Sequence, residues 1–200
     1  HLVNARPDLL SLPAEVAREL GDLSPFHPRW FQALHEWTLA QEGRLEGLYS
    51  DPGHPEVKER VLAVVEELAT RYDIDGIHLD YVRYPSPEFG YNPVALSSFR
   101  RLMQTRAPAG RAAELDGQAR RDPLAWPRAY PEAFDDFRRE QITGLVDRVR
   151  RRLREVRPDV LLSAAVFADP VDAVRGRFQD WPTWLDDGLV DVVVPMAYTP

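Results

Sequence analysis

Tyr72-Asp73-Ile74-Asp75-Gly76-Ile77-His78-Leu79-Asp80-Tyr81-Val82-Arg83-Tyr84-Pro85 sets a short apolar run between carboxylates, then opens into aromatic and cationic residues that stop at a proline. The run from Ile77 to Leu79 is too short and too abruptly bounded for a helix, so Gly76 to Leu79 is expected to form a buried parallel strand. Asp80 then stands where the strand ends. In barrels of alternating strands and helices the chemistry sits at the carboxyl ends of the strands. By position, Asp80 is therefore either a cap of the following loop or a catalytic group.

The flanks support this reading. Upstream, Pro55 to Arg71 is the clearest helix, with Val57, Val61, Val64, Val65, Leu68 and Tyr72 recurring at the spacing of one face. Glu56, Glu59, Glu66 and Glu67 lie on the other faces. Asp73 to Gly76 turns the chain from this helix into the strand, which makes half of a β/α repeat. Downstream, Asn92-Pro93 is a cap and first-turn pair for a helix to about Thr105, with Leu96, Phe99 and Met103 inward. Residues 106–131 show no persistent period and read as a long, partly helical excursion, in which Trp126 and Tyr130 are loop-packing residues or ligand contacts. Glu132 to Arg157 is a long helix. The arginines at 148, 150, 151, 152 and 154 suit its negative end and solvent. Val160 to Val166 and Val190 to Met196 are two further buried strands, separated by a short helix from Trp181 to Asp187.

Near-continuous apolar strands alternating with helices call for a parallel sheet covered by helices. No Gly-x-Gly-x-x-Gly or Gly-x-x-x-x-Gly-Lys loop follows a strand, which counts against a nucleotide-binding doubly wound sheet. The expected fold class is α/β: part of a (β/α)8 TIM barrel with its central strands present and its first and last strands missing. The first fifty residues are less legible. Ser11-Leu12-Pro13 reads as a helix start with Ser11 as a possible cap, His27-Pro28 begins a second helix to about Ala40, Arg44 to Tyr49 reads as a short strand, and Ser50 to Gly53 as a turn.

Two hundred residues fit one domain, here a partial barrel over residues 1–200. The chain begins at His1 and its last residues read as a strand end, so a piece of a longer polypeptide is expected. No apolar run approaches the roughly 18 residues a membrane span needs. The absence of cysteine excludes disulfides and thiolate metal sites. A net charge of -7 argues against a general nucleic-acid binder. Lys58 is the only lysine, so nearly all positive charge is arginine. The 18 prolines and 5 tryptophans point to long ordered loops, which suit an enzyme better than a compact bundle.

Glycosidic hydrolysis needs one carboxyl to protonate the leaving oxygen and a second group as nucleophile or base. It also needs aromatic surface for sugar rings and polar groups that grip hydroxyls. The strand exits offer Asp80, Asp169, Arg83 and Tyr198, with Tyr81, Tyr84 and Glu88 close by in sequence.

Asp75-Gly76-Ile77-His78-Leu79-Asp80-Tyr81-Val82-Arg83-Tyr84-Pro85 resembles the signature strand of the glycosyl hydrolase-like 10 family. Leu48-Tyr49-Ser50-Asp51-Pro52-Gly53-His54-Pro55-Glu56-Val57 resembles that family's Leu-Asp-Pro-Gly-x-Pro-Glu-Val turn, with two residues inserted after the Leu. Phe137-Arg138-Arg139-Glu140-Gln141 resembles its Trp-Arg-Arg-x-Asn. Gln179-Asp180-Trp181, Gly188 to Asp191 and Pro195-Met196-Ala197-Tyr198 resemble its segment leading to a Pro-x-x-Tyr strand.

The resemblance implies a glycan-acting barrel, hydrolysing O-glycosidic bonds of a polysaccharide such as bacterial cell-wall glycan, without a cofactor or metal, in an extracytoplasmic setting. Asp80 is the leading catalytic carboxyl and Asp169 the second. His78, Arg83, Tyr84, Glu88 and Tyr198 are the substrate-binding candidates. Each has a plainer reading. His78 is also a hydrogen-bonded core histidine, Arg83 a partner that keeps Asp80 ionised, one of Tyr81 and Tyr84 a packing residue, and Asp169 a turn residue before Pro170. Asp75 caps the turn before Gly76, and Asp51 is a turn residue. The strand also resembles the Asp-Gly-x-Asp-x-Asp-x-Glu motif of family 18 chitinases, but Val82 stands where the proton-donating Glu belongs. That departure makes a non-catalytic glycan-binding barrel the alternative.

Overall fold

The computed structural model describes residues 5–198 apart from Glu42, Arg44 and Glu46. These residues form α1 (Ala14–Leu20), α2 (Pro28–Ala40), α3 (Pro55–Arg71), β1 (Gly76–Leu79), α4 (Pro93–Gln104), α5 (Ala109–Ala119), α6 (Ala125–Ala129), α7 (Pro131–Val156), β2 (Leu161–Phe167), α8 (Pro170–Gly176), α9 (Trp181–Asp186) and β3 (Val192–Met196). They divide into two compact units. One holds His1–His54 with Glu88–Phe137, the other Pro55–Pro87 with Arg138–Pro200.

The second unit carries the sheet. Its strands are parallel and stand in chain order, β1-β2-β3. The register pairs His78 with Ser163 and Ser163 with Val192. Residues that pair in a parallel ladder point to the same side, so the two faces can be told apart. One face buries Ile77, Leu162, Ala164 and Val166. The other presents His78, with Leu161, Val192 and Val194 each about half exposed. Gly76 is fitted to its place: a Cβ there would lie 3.2 Å from the Leu161 carbonyl oxygen across the ladder.

Asp191 ties this unit together at the entrance to β3. Its carboxylate takes a fork from the buried Arg150, with one branch at 2.8 Å, and the Leu162 N–H at 2.7 Å. The Asp191 N–H returns to the Leu162 carbonyl at 2.8 Å. Arg150 therefore does not face solvent as its charge cluster suggested. Its neighbours are more exposed, Arg148 pairing with Glu59 at 2.6 Å and Arg152 with Glu66, so the cluster links α7 to α3.

The first unit is helical. Its core gathers Leu12, Val16, Trp30, Leu34, Phe99 and Phe134, with the last two rings 4.9 Å apart. Asn92 caps α4 as expected, accepting from Val94 N at 2.9 Å, and donates to the carbonyls of Asp8 and Leu10 at 2.8 Å each. Ser11 is not the cap of α1, whose N-cap is Pro13. Its buried hydroxyl instead donates to Asp51 Oδ2 at 2.9 Å and accepts from Gly90 N at 3.1 Å. Asp51 is fully buried and also accepts from Gly53 N at 2.7 Å, so the expected turn is built around its carboxylate. The excursion is more regular than its composition indicates, because α5 and α6 fall inside it. The strand expected over Arg44 to Tyr49 lies partly outside the described residues, and Gly47 to Tyr49 form none. In α3, Val57 and Val65 are buried with Ala69, but Val64, Leu68 and Tyr72 are exposed rather than inward.

Candidate active site

Asp80 follows β1 directly and is exposed. Its Oδ1 accepts the N–H of Tyr81 at 2.8 Å, while Oδ2 has no partner among the described residues. Tyr81 has φ 54°, a left-handed conformation that a bulky residue adopts only under constraint. This backbone kink turns the chain sharply at the strand exit and leaves the Tyr81 ring 45% exposed.

Arg83 sits in an aromatic setting. Its guanidinium carbon lies 4.8 Å from the centre of the Tyr81 ring and 5.0 Å from that of Phe167. Arg177 approaches the same Phe167 ring at 4.5 Å and donates to the Pro85 carbonyl. The exits of β1 and β2 thus share one aromatic residue flanked by two cations, a contact that is favourable when desolvated. Tyr84 is the packing member of the tyrosine pair: it is 1% exposed and meets Phe178 edge-on at 5.7 Å.

The remaining candidates fall as follows. His78 is exposed on the open face of the sheet, with Nδ1 hydrogen-bonded to Ser163 Oγ at 2.8 Å. Asp169 caps α8, its Oδ1 accepting from Val171 N at 2.7 Å and Asp172 N at 3.2 Å. Its Oδ2, like that of Asp80, has no partner among the described residues. Tyr198 lies two residues beyond β3 and is 86% exposed. Asp75 precedes β1, its carbonyl accepting from Leu161 N at 3.0 Å, at the end of the sheet opposite to Asp80. Glu88 belongs to the helical unit, where its carbonyl accepts from Ala14 N at 2.9 Å. The parallel order therefore brings Asp80, Arg83, Asp169 and Tyr198 to the same end of the sheet.

Sequence reasoning gave no role to Gln179, which is fully buried behind that end. Its amide nitrogen donates to the carbonyls of Ala165 at 3.0 Å and Val82 at 3.4 Å, and its Oε1 accepts from Phe167 N at 2.9 Å. Trp181 Nε1 adds a bond to the Phe167 carbonyl at 3.1 Å. The signal for both was the Gln179-Asp180-Trp181 motif, whose polar residue carries no apolar periodicity of its own. Among the described residues, no three His, Asp or Glu side chains gather closely enough to hold a metal ion. No described helix is long and apolar enough to cross a membrane.

Comparison with known proteins converges on one group. A family model described as Glycosyl hydrolase-like 10 matches residues 12–200. Glycosyl hydrolase YngK of Bacillus subtilis (strain 168) is 24% identical over 198 residues, covering 90% of this chain and 32% of that protein. Glycosyl hydrolase DigH of Escherichia coli (strain K12) is 25% identical over 215 residues, covering 99% of this chain and 40% of that protein. The chain thus spans about a third to two-fifths of the length of these relatives.

Proposed function

The chain belongs to the glycosyl hydrolase-like 10 family, and from that membership we propose that it hydrolyses O-glycosidic bonds of a polysaccharide, with Asp80 acting at the scissile bond. The observation that carries this reading is the pair of half-used carboxylates at one end of the sheet. Asp80 and Asp169 each spend one oxygen on backbone N–H groups and keep the other unpartnered among the described residues. Anchored on one side and open on the other, such a group is held in one orientation toward a substrate. Two carboxyls are what acid-assisted glycoside cleavage requires.

In this scheme Asp80 acts as the nucleophile or general acid, and Asp169 supplies the second carboxyl. Arg83 grips a hydroxyl or carboxylate of the glycan, and the exposed Tyr81 ring offers a stacking surface. Tyr198 and His78 donate to sugar hydroxyls. The sheet is read as a section of a (β/α)8 barrel with further strands before and after it. The chain-order pairing of β1, β2 and β3 and the exposed face carrying His78 support this. The bacterial origin of the relatives and the cation of Arg83 at a strand exit fit a cell-wall glycan as substrate, and the extracytoplasmic setting is proposed from that substrate alone.

Asp80→Asn tests the proposal. Release of new reducing ends from glycan strands should fall by about 100-fold or more, the usual scale for removing an acid or base group. Unchanged turnover would remove Asp80 from the chemistry. A second reading, a glycan-binding barrel without catalysis, is favoured by Val82, which is 8% exposed and hands its carbonyl to Gln179 where a proton-donating Glu would stand in the chitinase pattern. Saturable glycan binding with no reducing ends released by the unaltered protein would establish that reading instead.

A further inference from the structure

The helical unit contains a cavity of about 190 Å³, lined by none of the residues placed in the glycan site. Tyr91, Pro93 and Pro123 give it an accessible apolar lining, and Trp126, Arg100 and Asp22 line it as well. Drug-sized ligands occupy roughly 300–1,000 Å³, so this space suits a single ring or a short branched chain.

Two of the lining side chains are fixed from behind by one carboxylate. Arg100 Nε donates to Asp116 Oδ1 at 2.7 Å, and Trp126 Nε1 donates to the same oxygen at 3.0 Å. Gln104 Nε2 occupies Oδ2 at 2.7 Å. Burial pushes the Asp116 carboxyl up, but the donors from Arg100, Gln104 and Trp126 outweigh it and hold the group below its ordinary value. Asp116 is therefore charged at neutral pH and keeps Arg100 in one orientation.

Only Nε of Arg100 is used in this way. Among the described residues both of its terminal nitrogens are without a partner, and so is the carboxylate of Asp22. The cavity thus presents a pre-oriented cation, an anion and an apolar lining, within the space of one small molecule. A simple carboxylate would meet Arg100 but be repelled by Asp22, and a simple amine would meet the reverse.

We propose that this cavity binds a small zwitterion with an apolar body, an α-amino acid with an apolar side chain. The carboxylate pairs with Arg100, the ammonium group with Asp22, and the side chain packs on Tyr91, Pro93 and Pro123. Fork-like contacts between guanidinium and carboxylate are the strong kind of charge-assisted hydrogen bond. The inference stands independently of glycan cleavage.

Calorimetric titration with L-phenylalanine, 3-phenylpropanoate and 2-phenylethylamine tests it. L-phenylalanine should bind about 10-fold or more tighter than either partial analogue, one decade being the effect of about 1.4 kcal/mol. Asp22→Asn should erase its advantage over 3-phenylpropanoate. Arg100→Gln, which keeps a donor beside Asp116, should erase its advantage over 2-phenylethylamine. Melting curves check that both variants fold; should Arg100→Gln not, the exposed Asp22 carries the test. The proposal is overturned if L-phenylalanine shows no saturable binding up to about 10 mM, or if the substitutions leave the order of the three affinities unchanged.

Discussion

The N–H of Tyr81 points back to the carboxylate of the residue before it, Asp80, at 2.8 Å, and Tyr81 adopts φ 54°. The hydrogen bond and the kink act together. The kink presents the carboxylate at the strand end, and the bond fixes which oxygen stays free. Asp80→Asn keeps an acceptor for the Tyr81 N–H, so its melting temperature should stay within about 2–4 °C of the parent's, the effect of about 1 kcal/mol or less at this chain length. Glycan cleavage should be lost. A loss of fold in this variant would show that the carboxylate is structural.

Tyr81→Gly separates strain from contact. Glycine takes the left-handed region without the penalty of roughly 1 kcal/mol that a side chain brings. Melting temperature should therefore hold or rise. The ring beside Arg83 is gone, so KM for glycan should increase several-fold with a smaller change in kcat. A falling melting temperature would mean that the ring's packing outweighs the strain.

Asp191 governs the acid limb of stability. Its hydrogen bond from Arg150 holds the carboxyl below the ordinary range, against burial, which pushes it up; the Leu162 N–H and the charges of Arg150 and Arg154 add to the lowering. A carboxyl with a depressed folded-state value contributes fully above its unfolded value, about 3.9, and loses that contribution as pH falls through the folded one. Stability should thus decline below about pH 5 in urea titrations. Asp191→Asn should cost about 2 kcal/mol at pH 7, because it leaves the buried Arg150 without its counter-charge, and should flatten the acid limb. An acid limb of unchanged steepness would assign it to other carboxylates.

Gln179→Leu keeps the approximate volume but removes both ends of the amide. Phe167 N, the Ala165 carbonyl and the Val82 carbonyl lose a partner in the interior. The cost should be about 2–4 kcal/mol, at roughly 1–3 kcal/mol for each well-buried unmet group. Hydrogen exchange at Phe167 should speed up more than at residues remote from the strand exits. Uniform acceleration would reduce Gln179 to a general core residue.

The parts legible in the sequence were those written in short-range pattern. The apolar run before Asp80, the valine spacing of α3 and the Asn92-Pro93 pair each carry their structure within a few residues. What escaped depends on partners far along the chain. Ser11 resembles a helix cap until Asp51, 40 residues on, takes its hydroxyl. Arg150 looks like one more solvent arginine until Asp191, 41 residues away, buries it. The helix α5 is not delimited within the partly helical excursion expected there, because its composition is mixed and it buries only Leu115. Conversely, Val64, Leu68 and Tyr72 lie at core spacing yet are exposed, since periodicity marks a face without saying what covers it. At the site, Asp80 was legible from its place at a strand end. The free oxygen of Asp169 was not, because capping geometry shows only in three dimensions.

The pairing of His78 with Ser163 spans 85 residues, and the segment Glu88–Phe137 of the helical unit is threaded between them. On a ribosome adding roughly 5–20 residues per second, β1 emerges on the order of ten seconds before β2, its partner in the described sheet. Through that interval the edge of this four-residue strand that β2 comes to cover is unclaimed. Asp73 and Asp75 on one side and Asp80 on the other bracket it with negative charge. Such charges discourage pairing with other nascent strands. The carboxylates around Gly76 to Leu79 thus set like charge at both ends of an edge that waits for its partner.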